Sequence, residues 1–526
     1  MPAGVEERPG APGGAGGPGR PGGRPTLGAT LDRQDRRERP DTPGPGNAGR
    51  TGAPDGPEGS GREPSGPPAM ACDRHGTAAG AGRFPAPAPA GAPAPAALAA
   101  ALKAEARRLG FVAVGIARAE PFLDLAGLLR RRQARGMATP WEDPDPARRI
   151  DPASLLPGAR SLIAVAMAYD PPRPAAARRA TGGAPAGSSL RGYVAAAGRA
   201  RSYQHVMRQR LEALGAWLES RRPGCRWAVQ VDTGPLVERA VAERAGVGWI
   251  GKNACLIVPG HGSWVFLGEL VTDVELPPDA PLADACGECD LCLRACPAGA
   301  FLGPRELDPR RCISFLTQKG GLPDEAEREA MGSSLYGCDA CQAVCPYNRA
   351  APPGHPALRP ADPEEAAAPH LEELLALSRA EFRRRYRPLT GAWRGRKIWQ
   401  RNALIALGNR RDGRAVPALA GVLARDPRPD LRALAAWALG RIGGPQARAA
   451  LRGALAGEAD PQVRAAVTRA LAGLEEGAAG RGGRAGGDQD LLPCRRPGPD
   501  RGGNGRRPGL GDGLPPAGRA APGDEA

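Results

Sequence analysis

The chain reads as an α+β protein with a helical C-terminal array, and three observations carry that reading. Residues 91–275 alternate helix-periodic and strand-like apolar runs. Eight cysteines fall between residues 286 and 345 at short, regular spacing. Helices ending in Leu recur every 32 residues beyond residue 400. The domains expected are 1–90 (tail), 91–275 (α+β), 276–350 (cysteine module), 351–475 (helical) and 476–526 (tail).

The elements of the α+β part follow in order. ALAAALKAEARRLG has helical periodicity and ends at Gly110. FVAVGIA (111–117) predicts a buried strand. Phe122–Arg135 predicts a helix between Pro121 and Gly136. A strand follows over 161–169, and the Pro/Ala/Gly-rich residues 171–188 predict an exposed loop. Tyr203–Arg221 predicts a helix with an apolar stripe of Val206, Leu211, Leu214, Trp217 and Leu218. WAVQVDTG predicts a strand ending at Asp232, then a helix over Leu236–Ala245 closed by Gly246. ACLIVP and SWVFLGEL predict a β-hairpin around Gly260–Gly262.

Cys286, Cys289, Cys292 and Cys296 form C-x2-C-x2-C-x3-C-P, and Cys338, Cys341 and Cys345 form C-x2-C-x3-C-P, with Cys312 between. The first run has the spacing of bacterial ferredoxins, where three thiolates hold one [4Fe–4S] cube and the fourth crosses to the next. That logic assigns Cys286, Cys289, Cys292 and Cys345 to one cluster and Cys296, Cys312, Cys338 and Cys341 to the other. Structural zinc favours two C-x2-C knuckles, and disulfides need an oxidising compartment that no secretory signal indicates. Cys72, Cys225, Cys255 and Cys494 stand outside the pattern. No G-x-G-x-x-G after a strand marks a nicotinamide domain, so electrons are expected from an external low-potential donor.

Leu407-Gly408, Leu439-Gly440 and Leu471 close the helices RNALIALGN, RALAAWALGR and RAAVTRALAG, as in a short HEAT-type α-solenoid. The net charge of +16 is uneven: residues 381–470 carry +13 and residues 271–350 carry −6. A basic module beside an acidic one points to a polyanionic partner, most simply nucleic acid; a solvated Arg-rich face is the plain alternative. The tails, rich in Gly, Pro, Ala and Arg, bury too little apolar surface to offset chain entropy and are expected to be disordered; Met70 is an alternative start. The longest apolar run, Ser161–Tyr169, is too short to span a bilayer, and a soluble cytoplasmic protein is expected.

The segment VDTGPLVERAVAERAGVGWIGKN (231–253) stands out. Asp232 closes a strand where a carboxylate can face a pocket, Trp249 and Lys252 suit a ring or an anion, and Gly246, Gly248 and Gly251 permit close approach. A helix N-cap at Asp232 followed by turn glycines is the plain alternative.

Together with G-S-W-V-F-L-G-E, C-I-S-F-L-T-Q-K-G, W-Q-R-N-A-L-I-A-L-G-N and the eight cysteines, this segment resembles epoxyqueuosine reductase over most of residues 97–475. That family uses cobalamin and two [4Fe–4S] clusters in the last step of tRNA queuosine formation. The resemblance implies a base-off cobalamin in the α+β domain against the first cluster, with electrons passing from the second cluster to the first and then to cobalt. It implies that Asp232 donates the proton to the epoxide oxygen, its pKa raised by burial, and that Arg149, Leu256, Val258, Leu267, Ser314 and the Cys338–Asp339–Ala340–Cys341 turn contact the cofactor. The implied substrate is a tRNA anticodon loop carrying epoxyqueuosine, its phosphates held by Arg394, Arg396, Lys397 and Arg401, with the enzyme acting as a monomer away from membranes. One stretch departs. Where the family shows R-Y-A-R-G-R-D-Y-H, this chain has Ala196-Ala197-Gly198-Arg199-Ala200-Arg201-Ser202-Tyr203-Gln204. The rivals are a reductive dehalogenase, for which a basic solenoid has no purpose, and an electron-transfer protein without a corrinoid.

Overall fold

A computed structural model describes residues 94–172 and 190–482. The expected N-terminal tail, Met70, Cys72, most of the 171–188 loop, Cys494 and nearly all of the C-terminal tail lie outside the described residues.

Helix α1 (Pro95–Arg108) leads into β1 (Ala113–Arg118), α2 (Leu123–Ala134) and β2 (Ser161–Ala168). Helix α3 (Tyr203–Glu219), β3 (Trp227–Gln230), α4 (Glu238–Arg244) and β4 (Val265–Thr272) complete the α+β layer. The four strands form an antiparallel sheet in the order β1-β2-β4-β3. All eight residues of β2 are buried. Its alternation explains why: Ile163, Val165 and Met167 pack with Leu102 of α1 and Leu211 and Leu214 of α3, while Leu162, Ala164 and Ala166 pack with Val241 of α4. A strand covered on both faces needs the unbroken apolar run seen in the sequence.

One expectation is corrected here. ACLIVP and SWVFLGEL do not pair as a hairpin. Val258 and Gly262 do close a tight turn, but Leu256–Ile257 pairs with Trp249–Ile250, and β4 inserts between β2 and β3. The continuous burial of β4 is better satisfied in the sheet centre than in a two-stranded ribbon.

The cysteine module is bound to its neighbours on both sides. Tyr193–Val194 pairs in parallel with Ser334–Tyr336, and the chain beyond the last cysteine returns to the sheet, where His355 N–H donates to Ala168 O at 2.8 Å and Leu358 enters the α1–α3 core.

The C-terminal helices are α5 (Gly395–Arg410), α6 (Val416–Arg425), α7 (Pro429–Ile442), α8 (Gly444–Gly457) and α9 (Pro461–Gly482). The repeated glycines are contact points. A Cβ on Gly408 would stand 2.5 Å from the Trp437 ring, and one on Gly440 2.8 Å from Ala470 Cβ. The period thus records helix-on-helix approach. Helix α9 continues past residue 475, so the expected tail starts later than the composition suggested. Among the described residues no helix is long and apolar enough to cross a membrane.

Candidate active site

Strand β3 stops at Gln230, two residues before the expected end, and Asp232 adopts φ +64°. A non-glycine residue persists there when its surroundings over-determine it. Three contacts do so. The Asp232 N–H donates to Glu238 Oε1 at 2.5 Å, Gln204 Nε2 donates to Asp232 Oδ2 at 3.1 Å, and Tyr203 is close enough for the same carboxylate to act on its hydroxyl. The Tyr203 ring lies flat on Phe266, centroids 3.8 Å apart and 4° from parallel. Gln204, in the stretch that departs from the family pattern, therefore touches the proposed acid directly.

Asp232 is exposed on the wall of a cavity of about 490 Å³, so the burial expected around it is not provided by the chain itself. Arg149, Leu256 and Leu267 share that wall. Arg149 is paired with Glu142 at 2.5 Å. Val258 instead packs in the core beneath it, 2 % exposed. Ser314 and the 338–341 turn lie outside the lining. Asp339 faces inward, accepting from Tyr193 Oη at 2.5 Å and from Ala196 N–H at 2.8 Å. It anchors the turn. Ala340 is likewise buried.

Two further carboxyls lie near Asp232: half-buried Glu238, which lines the same cavity, and Glu269. Glu269, on β4, is fully buried; one oxygen accepts from Gln230 Nε2 at 3.2 Å and the other, Oε1, has no hydrogen-bond partner. Burial, reinforced by the charge of Glu238, raises Glu269 well above the carboxylate range, and burial pushes Glu238 up to about 8. Both raised carboxyls thus hold protons near neutral pH close to Asp232. Glu238, Glu269 and Gln204 were not singled out in the sequence. The signal for Glu269 was present: one acid inside VFLGELVT, an otherwise apolar strand.

Cys286, Cys289, Cys292 and Cys345 line one cavity of about 150 Å³, together with Lys252 and Tyr347. Lys252 Nζ donates to Gly287 O at 2.5 Å, and Trp249 meets Tyr347 edge-on at 5.0 Å. These two residues, read as ring or anion contacts, buttress the first cysteine set instead. Cys296, Cys312, Cys338 and Cys341 are electrostatic neighbours of one another. Backbone N–H groups of Ala300 and Ala340 point at Cys296 Sγ (3.3 Å) and Cys338 Sγ (3.5 Å). Two groups of four soft sulfurs, one with N–H donors at its thiols, form a donor set suited to iron–sulfur cubes.

The placement of the two sets corrects the expected order. Cys255 is an electrostatic neighbour of Cys341 and lines the Asp232 cavity, so the second set adjoins that cavity. The cavity of the first set shares no lining residue with it. The wall formed by Leu256, Phe266 and Leu267, with Arg149 at the side, is apolar with a polar edge, which fits a flat macrocycle of mixed polarity.

The basic candidates divide. Arg401 is 2 % exposed and donates to Lys319 O at 2.7 Å, Gly321 O at 2.8 Å and Leu316 O at 3.0 Å. It ties the solenoid to the cysteine module and is unavailable to a phosphate, which corrects its expected role. Arg396 donates to Leu377 O at 2.8 Å, and Lys397 pairs with Asp430 at 2.8 Å with its side chain 57 % exposed. Arg394 Nε donates to Gln318 O at 2.9 Å.

Comparison with known proteins adds the following. Residues 149–233 match the family described as "Epoxyqueuosine reductase QueG, DUF1730", residues 285–348 a 4Fe-4S double cluster binding domain, and residues 396–472 HEAT repeats. The epoxyqueuosine reductase of Bacillus cereus is 43 % identical over 342 residues, covering 65 % of this chain and 88 % of that one. A solved epoxyqueuosine reductase carrying a tRNA-Tyr epoxyqueuosine-modified stem loop is 38 % identical, covering 72 % of this chain and 99 % of that one, with a TM-score of 0.67. The Bacillus subtilis enzyme, solved with its catalytic aspartate loop swung out of the active site, has the same identity, coverage and TM-score.

Proposed function

The chain belongs to the epoxyqueuosine reductase family, and from that premise we propose that it reduces epoxyqueuosine to queuosine at the wobble position of tRNA, with Asp232 as the proton donor. The observation that carries the reading is the meeting of Asp232 and the second cysteine set at one cavity. A reductive dehalogenase or a simple electron carrier needs neither this acid nor a basic solenoid.

Loss of the epoxide oxygen as water consumes two electrons and two protons. Cys286, Cys289, Cys292 and Cys345 would hold one iron–sulfur cluster and Cys296, Cys312, Cys338 and Cys341 the other, and the pair would supply one-electron transfer from an external donor. Arg149, Leu256 and Leu267 would hold a cobalamin at the cavity. When bound, the cobalamin supplies low-valent cobalt able to engage the epoxide carbon. Asp232 delivers a proton to the departing oxygen. Its left-handed backbone aims the carboxyl into the cavity, and Gln204 and Tyr203 set its orientation. The enzyme works as a monomer in the cytoplasm, where tRNA is modified.

The test is turnover of an epoxyqueuosine-containing anticodon stem-loop by the anaerobically reconstituted protein with cobalamin and a chemical reductant. Queuosine should form with wild-type protein and not with Asp232→Ala. Equal turnover by the two proteins removes Asp232 from the mechanism.

A further inference from the structure

Three exposed or half-exposed aromatics meet at the rim of the Asp232 cavity, from three separate parts of the chain. Trp141 lies between α2 and β2 and lines the cavity. Phe315 belongs to the short helix after Cys312. Trp393 lies in the turn that enters α5. The ring centroids of Trp141 and Phe315 are 5.3 Å apart, and those of Trp141 and Trp393 are 5.5 Å apart at 80°. The Arg394 guanidinium sits 5.8 Å from the Trp141 ring and 5.0 Å from that of Trp393. The group is held in place: Trp393 Nε1 donates to Gln318 Oε1 at 2.9 Å, and Arg394 Nε donates to Gln318 O at 2.9 Å.

Such a cluster is unexpected on a soluble surface. Trp141 is 40 % exposed and Trp393 50 %, so indole area is left in water beside a fixed cation. Hydrophobic burial does not account for the area left exposed on both rings. Two large π faces, a planar guanidinium and a cavity mouth are the features that take an unstacked base. The setting agrees, because α5 lies in the segment that carries the +13 charge, while the cysteine module is acidic.

We propose that Trp141, Trp393 and Arg394 form a stacking site for an unpaired nucleotide of the RNA loop, flanking the base that enters the Asp232 cavity. This rests on the tRNA reading above and specifies which surface holds the loop open. A base splayed out of the loop loses its neighbours, and stacking on an aromatic face replaces them. The site selects for single-stranded RNA at the cavity mouth, whereas the solenoid cations bind phosphates of any sequence.

The experiment measures binding, independently of turnover. The full chain with reconstituted clusters is titrated against a fluorescein-labelled, unmodified anticodon stem-loop and against a fully paired RNA duplex of equal length. Wild-type protein should prefer the stem-loop. Trp393→Ala and Trp141→Ala should each weaken stem-loop binding roughly tenfold or more, the loss of one base–aromatic stack, and leave duplex binding unchanged. Trp393→Tyr should retain most of the affinity, which separates stacking from a folding defect. Cluster absorbance and the thermal midpoint serve as controls for the fold. Unchanged stem-loop affinity in both alanine variants overturns the stacking site while leaving the reductase reading in place. So does an alanine variant that loses cobalamin but not RNA. Failure of wild-type protein to bind the stem-loop sinks both.

Discussion

Glu238 Oε1 accepts the backbone N–H of Asp232 at 2.5 Å, so one acid of the cavity lining fixes the backbone of the other. This bond keeps a non-glycine residue at φ +64°. Glu238 thereby latches the Asp232 backbone in this conformation. Glu238→Ala should lower turnover roughly 10- to 100-fold, the usual penalty for a misplaced acid, with iron content and cobalamin binding retained. Glu238→Gln should recover most of the rate, because an amide oxygen still accepts the bond. Equal rates for the alanine variant and wild type would remove the latch.

Asp232→Asn should be more severe than any change behind it. The amide keeps the size and can still meet Gln204, but it donates no proton to the epoxide oxygen. General-acid catalysis contributes about 10²- to 10⁴-fold, and a loss in that range is expected in single-turnover assays. Both cluster spectra should be unaltered.

The two cysteine sets should fail separately. Cys345→Ala should remove the outer cluster, leave the inner one, and halve the iron content. Cys341→Ala should remove the inner cluster beside the cavity. A chemical reductant small enough to reach the inner site directly should partly restore turnover in the first variant and not in the second. Eight irons and normal reduction in Cys345→Ala would refute the crossed assignment.

Stability should fall as pH rises through neutrality. Glutamates titrate near 4.5 in the unfolded chain, whereas burial holds Glu238 near 8 and keeps Glu269 well above the carboxylate range in the folded one. Between these values the folded state binds more protons than the unfolded state. Its advantage is complete below about pH 4.5 and is lost as pH climbs through 8. Glu269→Gln, which keeps the Gln230 contact without a titrating group, should show a shallower decline in thermal midpoint between pH 5 and pH 8. Parallel profiles for the two proteins would show that Glu269 is ionised in the fold.

Arg401→Ala should damage the fold more than RNA binding. It removes three hydrogen bonds to carbonyls of Leu316, Lys319 and Gly321 and leaves those acceptors without their charged donor. A cost of about 3–5 kcal/mol is expected, read as a lower denaturation midpoint. Exposed Lys397→Ala should leave the midpoint nearly unchanged and weaken RNA binding modestly, with a reduced salt slope.

Much of this was legible in the chain before folding. Cluster chemistry follows from cysteine spacing, because a cube is wrapped by residues close in sequence. The strand β2 announced itself by an unbroken apolar run, and the solenoid by a repeat whose glycines mark helix contacts. The family likeness pointed to Asp232 and Arg149, and both do reach one cavity.

The remainder depended on neighbours distant in sequence. Arg401 and Arg394 look alike as letters in a basic segment; packing against residues 316–321 buries the first and leaves the second beside two exposed indoles. Cys255 acquired significance when the chain brought it to Cys341, and that contact places the second cysteine set at the cavity. Local patterns determine which chemistry the chain carries, since ligand spacing and periodicity act over a few residues. Which group faces the cavity, which is entombed and which cluster stands nearer are settled by long-range packing, where burial and partner geometry outweigh residue type.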